Sequence, residues 1–330
     1  MQGWRVTMED AHTLVVSMDG LPDHSFFAVY DGHGGDMVAK HAGKHMLGKI
    51  LDTEEWKEYK SVGDKTTQHA VAMVGDALRQ AFFDCDADMR RKPEVERGED
   101  HSGCTAVAAI VSPSHIVVAN AGDSRSVLAK GGNMIPMSFD HKPYHAEETE
   151  RIEKAGGCVS MRRVNGDLAV SRALGDFNYK QAPGMGPAEQ PISSEADIKI
   201  EVRDGYEEFL VIACDGIWDV MENDEVTDYL RENLLHYQEA SLPISNAACD
   251  IVDTCLVKGS RDNMSAMVIA FVENPIVKIA AEPRARAVIL NAEEYGGEEL
   301  EGSGSGDESR DEQPFYGPKA TTKTFAVEGT

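Results

Sequence analysis

Between residues 105 and 129 three short β-rich runs follow one another almost without interval, and this crowding limits the fold more than any other stretch. Residues 105–111, 116–120 and 125–129 are parted only by Ser-Pro-Ser and Gly-Asp. Turns this short suit antiparallel strands. Residues 25–30, Ser-Phe-Phe-Ala-Val-Tyr, read as a buried strand ending at Asp31-Gly32, and residues 209–214 as another ending at Asp215-Gly216. Residues 264–272 form a last strand, closed by Asn274-Pro275. Helices follow from apolar residues at helical spacing: Val38, Ala42, Met46 and Ile50 after the first strand, and Ala70, Val74, Ala77, Leu78, Ala81, Phe82 and Cys85 within residues 66–90. Residues 147–154 give a short helix stopped by Gly156-Gly157, and two more helices are expected at 223–238 and 243–258. Strands and helices come in blocks and do not alternate singly, so the fold class is α+β.

Composition bounds the rest. The 330 residues are 42% hydrophobic and 27% charged, as in an ordinary globular protein. No run of about 18 apolar residues is present, so no membrane span is expected. Arg5, Glu9, Asp10 and His12 stand where a signal peptide would need an apolar run. The six cysteines lack paired Cys-x-x-Cys spacing, which points to reduced thiols and a cytoplasmic or nuclear location. The formal charge of −25 and the want of a Lys/Arg stripe exclude nucleic acid as a partner. Beyond residue 277 the texture changes, and the Glu- and Gly/Ser-rich stretch 293–312 is expected to be disordered. The chain therefore divides into a catalytic-size domain, 1–277, and an acidic tail, 278–330.

Four aspartates share one context, an apolar strand beside Asp and a small or turn-forming residue: Asp31-Gly32, Asp123-Ser124, Asp215-Gly216 and Asp262-Asn263. A strand end fixes the backbone while the carboxylate faces a cleft, and glycine leaves room for oxygens to crowd a cation. Such donors suit Mg²⁺ or Mn²⁺ and not zinc. Any one Asp-Gly pair alone is a turn dipeptide; four at strand edges ask for more. Motifs for a cysteine nucleophile and for a phosphate-binding loop fail. Cys85…Arg91 and Cys255…Arg261 match Cys-x5-Arg formally. Cys85, however, sits on a helix beside Asp84, Asp86 and Asp88, and Cys255 lies on an apolar helix face. No Gly-x4-Gly-Lys-Ser/Thr loop is present.

Eight ordered segments go further. They are residues 3–12 (Gly-Trp-Arg-Val-Thr-Met-Glu-Asp-Ala-His), 29–35 (Val-Tyr-Asp-Gly-His-Gly-Gly), 102–107 (Ser-Gly-Cys-Thr-Ala-Val) and 120–125 (Asn-Ala-Gly-Asp-Ser-Arg), then 140–143 (Asp-His-Lys-Pro), 166–176 (Gly-Asp-Leu-Ala-Val-Ser-Arg-Ala-Leu-Gly-Asp), 213–220 (Ala-Cys-Asp-Gly-Ile-Trp-Asp-Val) and 260–265 (Ser-Arg-Asp-Asn-Met-Ser). Together they resemble the metal-dependent protein phosphatases of type 2C, in order from residue 1 to about 275. The resemblance implies two antiparallel sheets packed as a β-sandwich flanked by helices, with two Mn²⁺ or Mg²⁺ ions, and a third bound more weakly, in a cleft at one end. It implies that Asp31 bridges the metals and the Gly32 carbonyl ligates one. Asp215 and Asp262 would hold the other, Glu9 and Asp10 would act through water, and Asp123 would serve the third. Arg5 would bind phosphate, His33 would protonate the leaving oxygen, and residues 143–190 would form a flap beside the cleft. The expected activity is hydrolysis of phosphoserine and phosphothreonine in signalling proteins by a monomer, without a phosphoenzyme. The contrasting expectation is an inactive scaffold of the same fold, which would predict a lost ligand, yet Asp31, Asp215 and Asp262 all stand.

Two departures from the family pattern stand out. Cys104 occupies a position where the family commonly has Ser. The chain also starts at the arginine motif, where relatives carry a further N-terminal edge strand. Its absence predicts lowered stability and a loosened Arg5 segment, and a missing segment would also hide any myristoylation signal, for here residue 2 is Gln.

Overall fold

The expected strands assemble into two antiparallel sheets. The computed structural model describes residues 1–239 and 245–271, together with the backbone of two further strands at 286–291 and 321–326. The first sheet has the order β1 (Ala11–Val15), β2 (Ser25–Tyr30), β5 (Ala106–Val111), β6 (His115–Ala121) and β12 (Asp197–Val202). The second runs β8 (Asn133–Pro136), β7 (Arg125–Lys130), β13 (Glu207–Ala213), β14 (Ala266–Ala270), and then β15 (Arg286–Asn291) and β16 (Thr321–Ala326). Those last two continue the sheet past the boundary expected at residue 277, while the acidic stretch 293–312 lies outside the described residues. Neighbouring strands in both sheets pair antiparallel throughout.

Successive side chains on a strand face opposite ways, so a strand buried on both sides reads as a continuous apolar run. Phe27, Val29, Val107 and Val118 meet Leu128, Leu210, Ile212 and Met267 between the sheets. The alternate residues Phe26, Ala28 and Tyr30 turn outward beneath α1 (Met37–Asp52), α2 (Glu54–Ser61) and α3 (Gln68–Arg90). On the far side Phe209, Val211 and Val268 lie beneath α7 (Asn223–Glu239) and α8 (Ser245–Val257), against Val226, Leu230, Ile251 and Val252. The result is the expected β-sandwich flanked by helices. Val38, Ala42, Met46 and Ile50 are all buried on α1. The hydroxyls of Thr53 and Thr67 cap α2 and α3 by accepting from the Trp56 and Ala70 amides at 3.2 Å.

Smaller elements shape the site. Helix α4 (Pro93–Glu96) follows α3 directly. Strands β3 (Gly32–His33), β4 (Gly103–Cys104) and β11 (Leu174–Gly175) form a three-stranded patch in the order β11-β4-β3. The stretch 143–190, expected to form a flap, contains α5 (Ala146–Lys154) and the hairpin β9 (Val159–Ser160) and β10 (Arg163–Val164). Helix α5 ends as expected, with the Gly156 and Gly157 amides donating back to Glu153 and Ile152. A single turn, α6 (Asp215–Trp218), leaves the end of β13. Among the described residues no helix is long and apolar enough to cross a membrane.

The start of the chain is better held than expected. Met1 is buried, its ammonium donates to the Met264 carbonyl at 2.6 Å, and the Met264 amide donates back to the Met1 carbonyl at 2.7 Å. Asn263 ties down residues 2–9: its side-chain amide donates to the Gln2 and Thr7 carbonyls, and its Oδ1 accepts from the Glu9 amide. The Arg5 segment therefore has an anchor, supplied by the loop before β14.

Candidate metal centre

Each acid of the candidate centre is delivered by the end of a strand. Asp31 follows the buried run of β2, and its carbonyl accepts from the Thr105 amide at 2.9 Å. Asp10 immediately precedes β1, Asp123 sits in the turn between β6 and β7, Asp215 opens α6 after β13, and Asp262 lies ahead of β14. Strands of both sheets thus converge on one end of the sandwich. Gly32 begins β3 against the Glu9 segment, where an added Cβ would run into the Glu9 carbonyl; only glycine allows the two chains to close there.

The acids feel one another. Desolvation, then the charges of Asp10, Asp215 and Asp123, lift the Asp31 carboxyl well above the usual carboxylate range. Desolvation, then Asp123, Asp219 and Asp262, push Asp215 up to about 7. Asp10 rises to about 6, chiefly through burial and against the pull of a Ser265 hydroxyl donating at 2.7 Å. Its other oxygen, Oδ1, is buried without a hydrogen-bond partner. Cations of the protein answer two of the acids. Arg5 donates to Asp262 at 2.5 Å while remaining 57% exposed, and it also senses Asp215 and Asp31. Lys142 donates to Asp123. Glu9 stands apart from the rest, accepting from the Thr7 hydroxyl at 2.9 Å.

His33 projects from β3, and its Nε2 meets Asp176 Oδ2 at 2.8 Å. Burial alone would lower its pKa, but the charge and hydrogen bond of Asp176, with Asp123 and Glu9, raise it above the ordinary histidine value. The structure therefore brings together Arg5, Asp10, Asp31, Gly32, His33, Asp123, Asp215 and Asp262, with Glu9 at the edge. It adds three residues that have no assigned role in the sequence reading. Asp219 lies one helical turn beyond Asp215 and is raised by burial and by Asp123 and Asp262, against Lys142 and Arg125. Lys142 and Asp176 carry no local signature beyond their places in the ordered segments.

The donor set fits hard divalent cations: oxygens only, mutually repelling, with one buried carboxylate oxygen unused. Among the described residues no three His, Cys, Asp or Glu side chains are placed as they stand so that they could hold a metal ion. Seating a cation would mean exchanging the Arg5–Asp262 and Lys142–Asp123 pairs for metal contacts.

Comparison with known proteins agrees with this architecture. The family described as Protein phosphatase 2C matches residues 1–264. Human protein phosphatase 1B is 46% identical over 278 residues, 84% of this chain; the chain spans 57% of that relative's length. Bovine protein phosphatase 1A is also 46% identical, over 84% of this chain and 70% of its own. Among solved structures, a serine-threonine phosphatase 2C from Toxoplasma gondii superposes with a TM-score of 0.69 at 21% identity, covering 81% of this chain and 91% of its own. A sex determining protein of C. elegans gives a TM-score of 0.68 at 25% identity, covering 86% and 66%. With its sandwich, its converging aspartates and a family match over most of its length, the chain belongs to the protein phosphatase 2C family.

Proposed function

We propose that this chain is a metal-dependent protein serine/threonine phosphatase that hydrolyses phosphoserine and phosphothreonine without a phosphoenzyme. The observation that carries the reading is the convergence of Asp10, Asp31, Asp123, Asp215 and Asp262 beside Arg5 and His33. Two Mg²⁺ or Mn²⁺ ions would be held by Asp31, the Gly32 carbonyl, Asp215 and Asp262, with Glu9 and Asp10 acting through water and Asp123 serving a weaker third. When bound, such ions supply Lewis acidity and an activated water for in-line attack at phosphorus. Arg5 is exposed enough to swing from Asp262 to a phosphoryl group, and its planar fork grips two oxygens at once. His33 holds the proton that the leaving oxygen needs. The six free cysteines support a reducing, cytoplasmic or nuclear setting, and we read the active unit as a monomer.

The test is hydrolysis of a phosphothreonine peptide with Mn²⁺, with Mg²⁺ and with EDTA, beside Asp215→Asn. Activity that requires metal and disappears in the variant supports the reading. Activity indifferent to EDTA, or none in any metal, would sink it.

A further inference from the structure

Strands of two residues add little stability, yet the β3, β4 and β11 patch places side by side two residues 143 positions apart, His33 and Asp176. The Asp176 carboxylate is 4% exposed, and its side-chain partner is His33 Nε2. Gly103 of β4 lies against the junction. A Cβ there would strike both the Asp176 carboxylate and His33 Nε2, so the pair closes only because β4 carries glycine at that point.

Asp176 itself is left-handed, with φ 51° and ψ 40°, a conformation that a non-glycine residue keeps only when its surroundings impose it. The surroundings do so. Its amide donates to the Ser102 carbonyl at 3.1 Å, and the neighbouring Gly175 amide donates to Asp86 Oδ1 on α3 at 2.8 Å. The same Asp86 oxygen accepts from Lys180 at 2.7 Å, and Lys180 also donates to the Ala173 carbonyl at 2.8 Å. Asp86 and Lys180 are both buried. A buried ion pair adds little net stability over apolar packing; what this one supplies is a clamp on both flanks of Asp176.

We propose that Asp176 is a positioning residue for His33, orienting the imidazole so that Nδ1 is the nitrogen left to serve the leaving oxygen, with Asp86 and Lys180 holding Asp176 in place. The inference rests on the phosphatase reading above. In the step concerned the bond from phosphorus to the leaving oxygen breaks, and that oxygen keeps the electron pair and takes the proton from Nδ1. The ring, a donor at both nitrogens before the step, becomes neutral with its Nε2 hydrogen still donated to Asp176, and water later returns a proton to Nδ1. Without the carboxylate, the ring is free to rotate and to exchange tautomers, so fewer encounters present a donor.

The discriminating readout is leaving-group dependence. A threonine oxygen leaves poorly without a proton, whereas p-nitrophenolate leaves unaided. Asp176→Gly suits the left-handed backbone and removes the carboxylate. With Mn²⁺ it is expected to lower kcat on a phosphothreonine peptide about tenfold, a part of the usual general-acid contribution, with KM little changed and p-nitrophenyl phosphate hydrolysis nearly untouched. Asp176→Asn retains an acceptor oxygen and should recover part of the loss. Adding Asp176→Gly to His33→Gln should cost nothing further. Gly103→Ala supplies an independent route, since it splits the pair while keeping both side chains, and should reproduce the same substrate selectivity if Asp176→Gly proves too unstable to assay. Equal losses on both substrates, additivity with His33→Gln, or a wild-type substrate ratio in Gly103→Ala would overturn the inference while leaving the phosphatase reading intact. A wild-type chain idle on both substrates in Mn²⁺ would overturn both.

Discussion

Glu148 sits at the root of the flap as a buried carboxylate among cations, and replacing it with glutamine tests the energetics of that region. Its Oε1 accepts from Arg172 Nε and Nη2 at 3.0 and 2.7 Å, and its Oε2 from Arg151 at 2.8 Å and the Ser171 hydroxyl at 2.5 Å. Arg172 reaches on to Asp197 of β12 at 2.8 Å, and Arg151 to the Ser171 and Gln190 carbonyls, so one carboxylate joins α5, the flap and the edge of the first sheet. Burial by itself would raise the Glu148 pKa. The Arg172 hydrogen bonds, with the charges of Arg151 and Arg172 and the Ser171 hydroxyl, more than offset it and bring the group from 4.5 down to about 2. At roughly 1.4 kcal/mol for each tenfold change in proton affinity, that depression corresponds to about 3 kcal/mol of stability at neutral pH. Losing one partner of a buried ion pair typically costs about 3–5 kcal/mol, which agrees. Glu148→Gln should therefore lower Tm by about 6–12 °C at pH 7 for a domain of this size. The sign of the pH dependence comes from the depressed value. The contribution is complete above about pH 4.5, where the unfolded carboxylate is also ionised, and fades as pH falls toward about 2. Calorimetric melts of wild type and variant should stay apart from pH 7 to 5 and converge below pH 4, a comparison that cancels every other carboxylate. A gap under about 1 kcal/mol at pH 7, or one independent of pH down to 3, would refute the reasoning.

Replacing other residues should give equally definite outcomes. Asp215→Asn removes a carboxylate that its neighbours penalise, so in EDTA its Tm should exceed that of wild type by a few degrees, about 1 kcal/mol or more, even as activity is lost; a lower Tm in EDTA would contradict the mutual repulsion. Gly32→Ala forces a Cβ into the Glu9 carbonyl and should destabilise by about 1–3 kcal/mol, read from urea midpoints, while weakening Mn²⁺ binding by titration calorimetry. Cys158 is exposed, whereas burial pushes the Cys85 and Cys255 thiols up to about 12 and those of Cys104 and Cys214 well above the ordinary value. An aromatic disulfide reagent at neutral pH should thus modify Cys158 quickly in the native protein, the half-buried Cys249 more slowly and the buried four only on unfolding, and Cys158→Ser should abolish the fast phase.

Much of this molecule could be read from residue order because burial on two sides leaves a plain trace. Residues 26–30 and 209–214 are unbroken apolar runs, and each proved to lie in a central strand between helices and the opposing sheet. Edge strands leave no such trace. β1, Ala-His-Thr-Leu-Val, is only partly buried, and β12, Asp-Ile-Lys-Ile-Glu-Val, leaves even its apolar Ile200 and Val202 exposed, so neither stood out. Helix α2 hides two buried aromatics, Trp56 and Tyr59, among charged residues over barely two turns. Asp31, Asp123, Asp215 and Asp262 could be picked out because strand ends announce themselves, whereas Glu9 and Asp10 entered only through the ordered segment that carries them. Asp176 and Lys142 were not, since their meaning depends on contacts with His33 and Asp123 that no local pattern encodes. The held N-terminus escaped for the same reason: its anchor, Asn263, lies more than 250 residues away along the chain.

The placement of the acids at the open end of the sandwich has a consequence for how firmly the two sheets hold together. Asp10 and Asp31 belong to strands of one sheet, Asp215 and Asp262 to strands of the other, and Asp123 to the turn that passes between them. Bare of cations, this seam is a wedge of like charge that favours parting of the sheets. Filled, it would become a rivet through both, and its strength would grow with the logarithm of free cation concentration. Resistance to proteolysis would then rise with the free concentration of divalent ions.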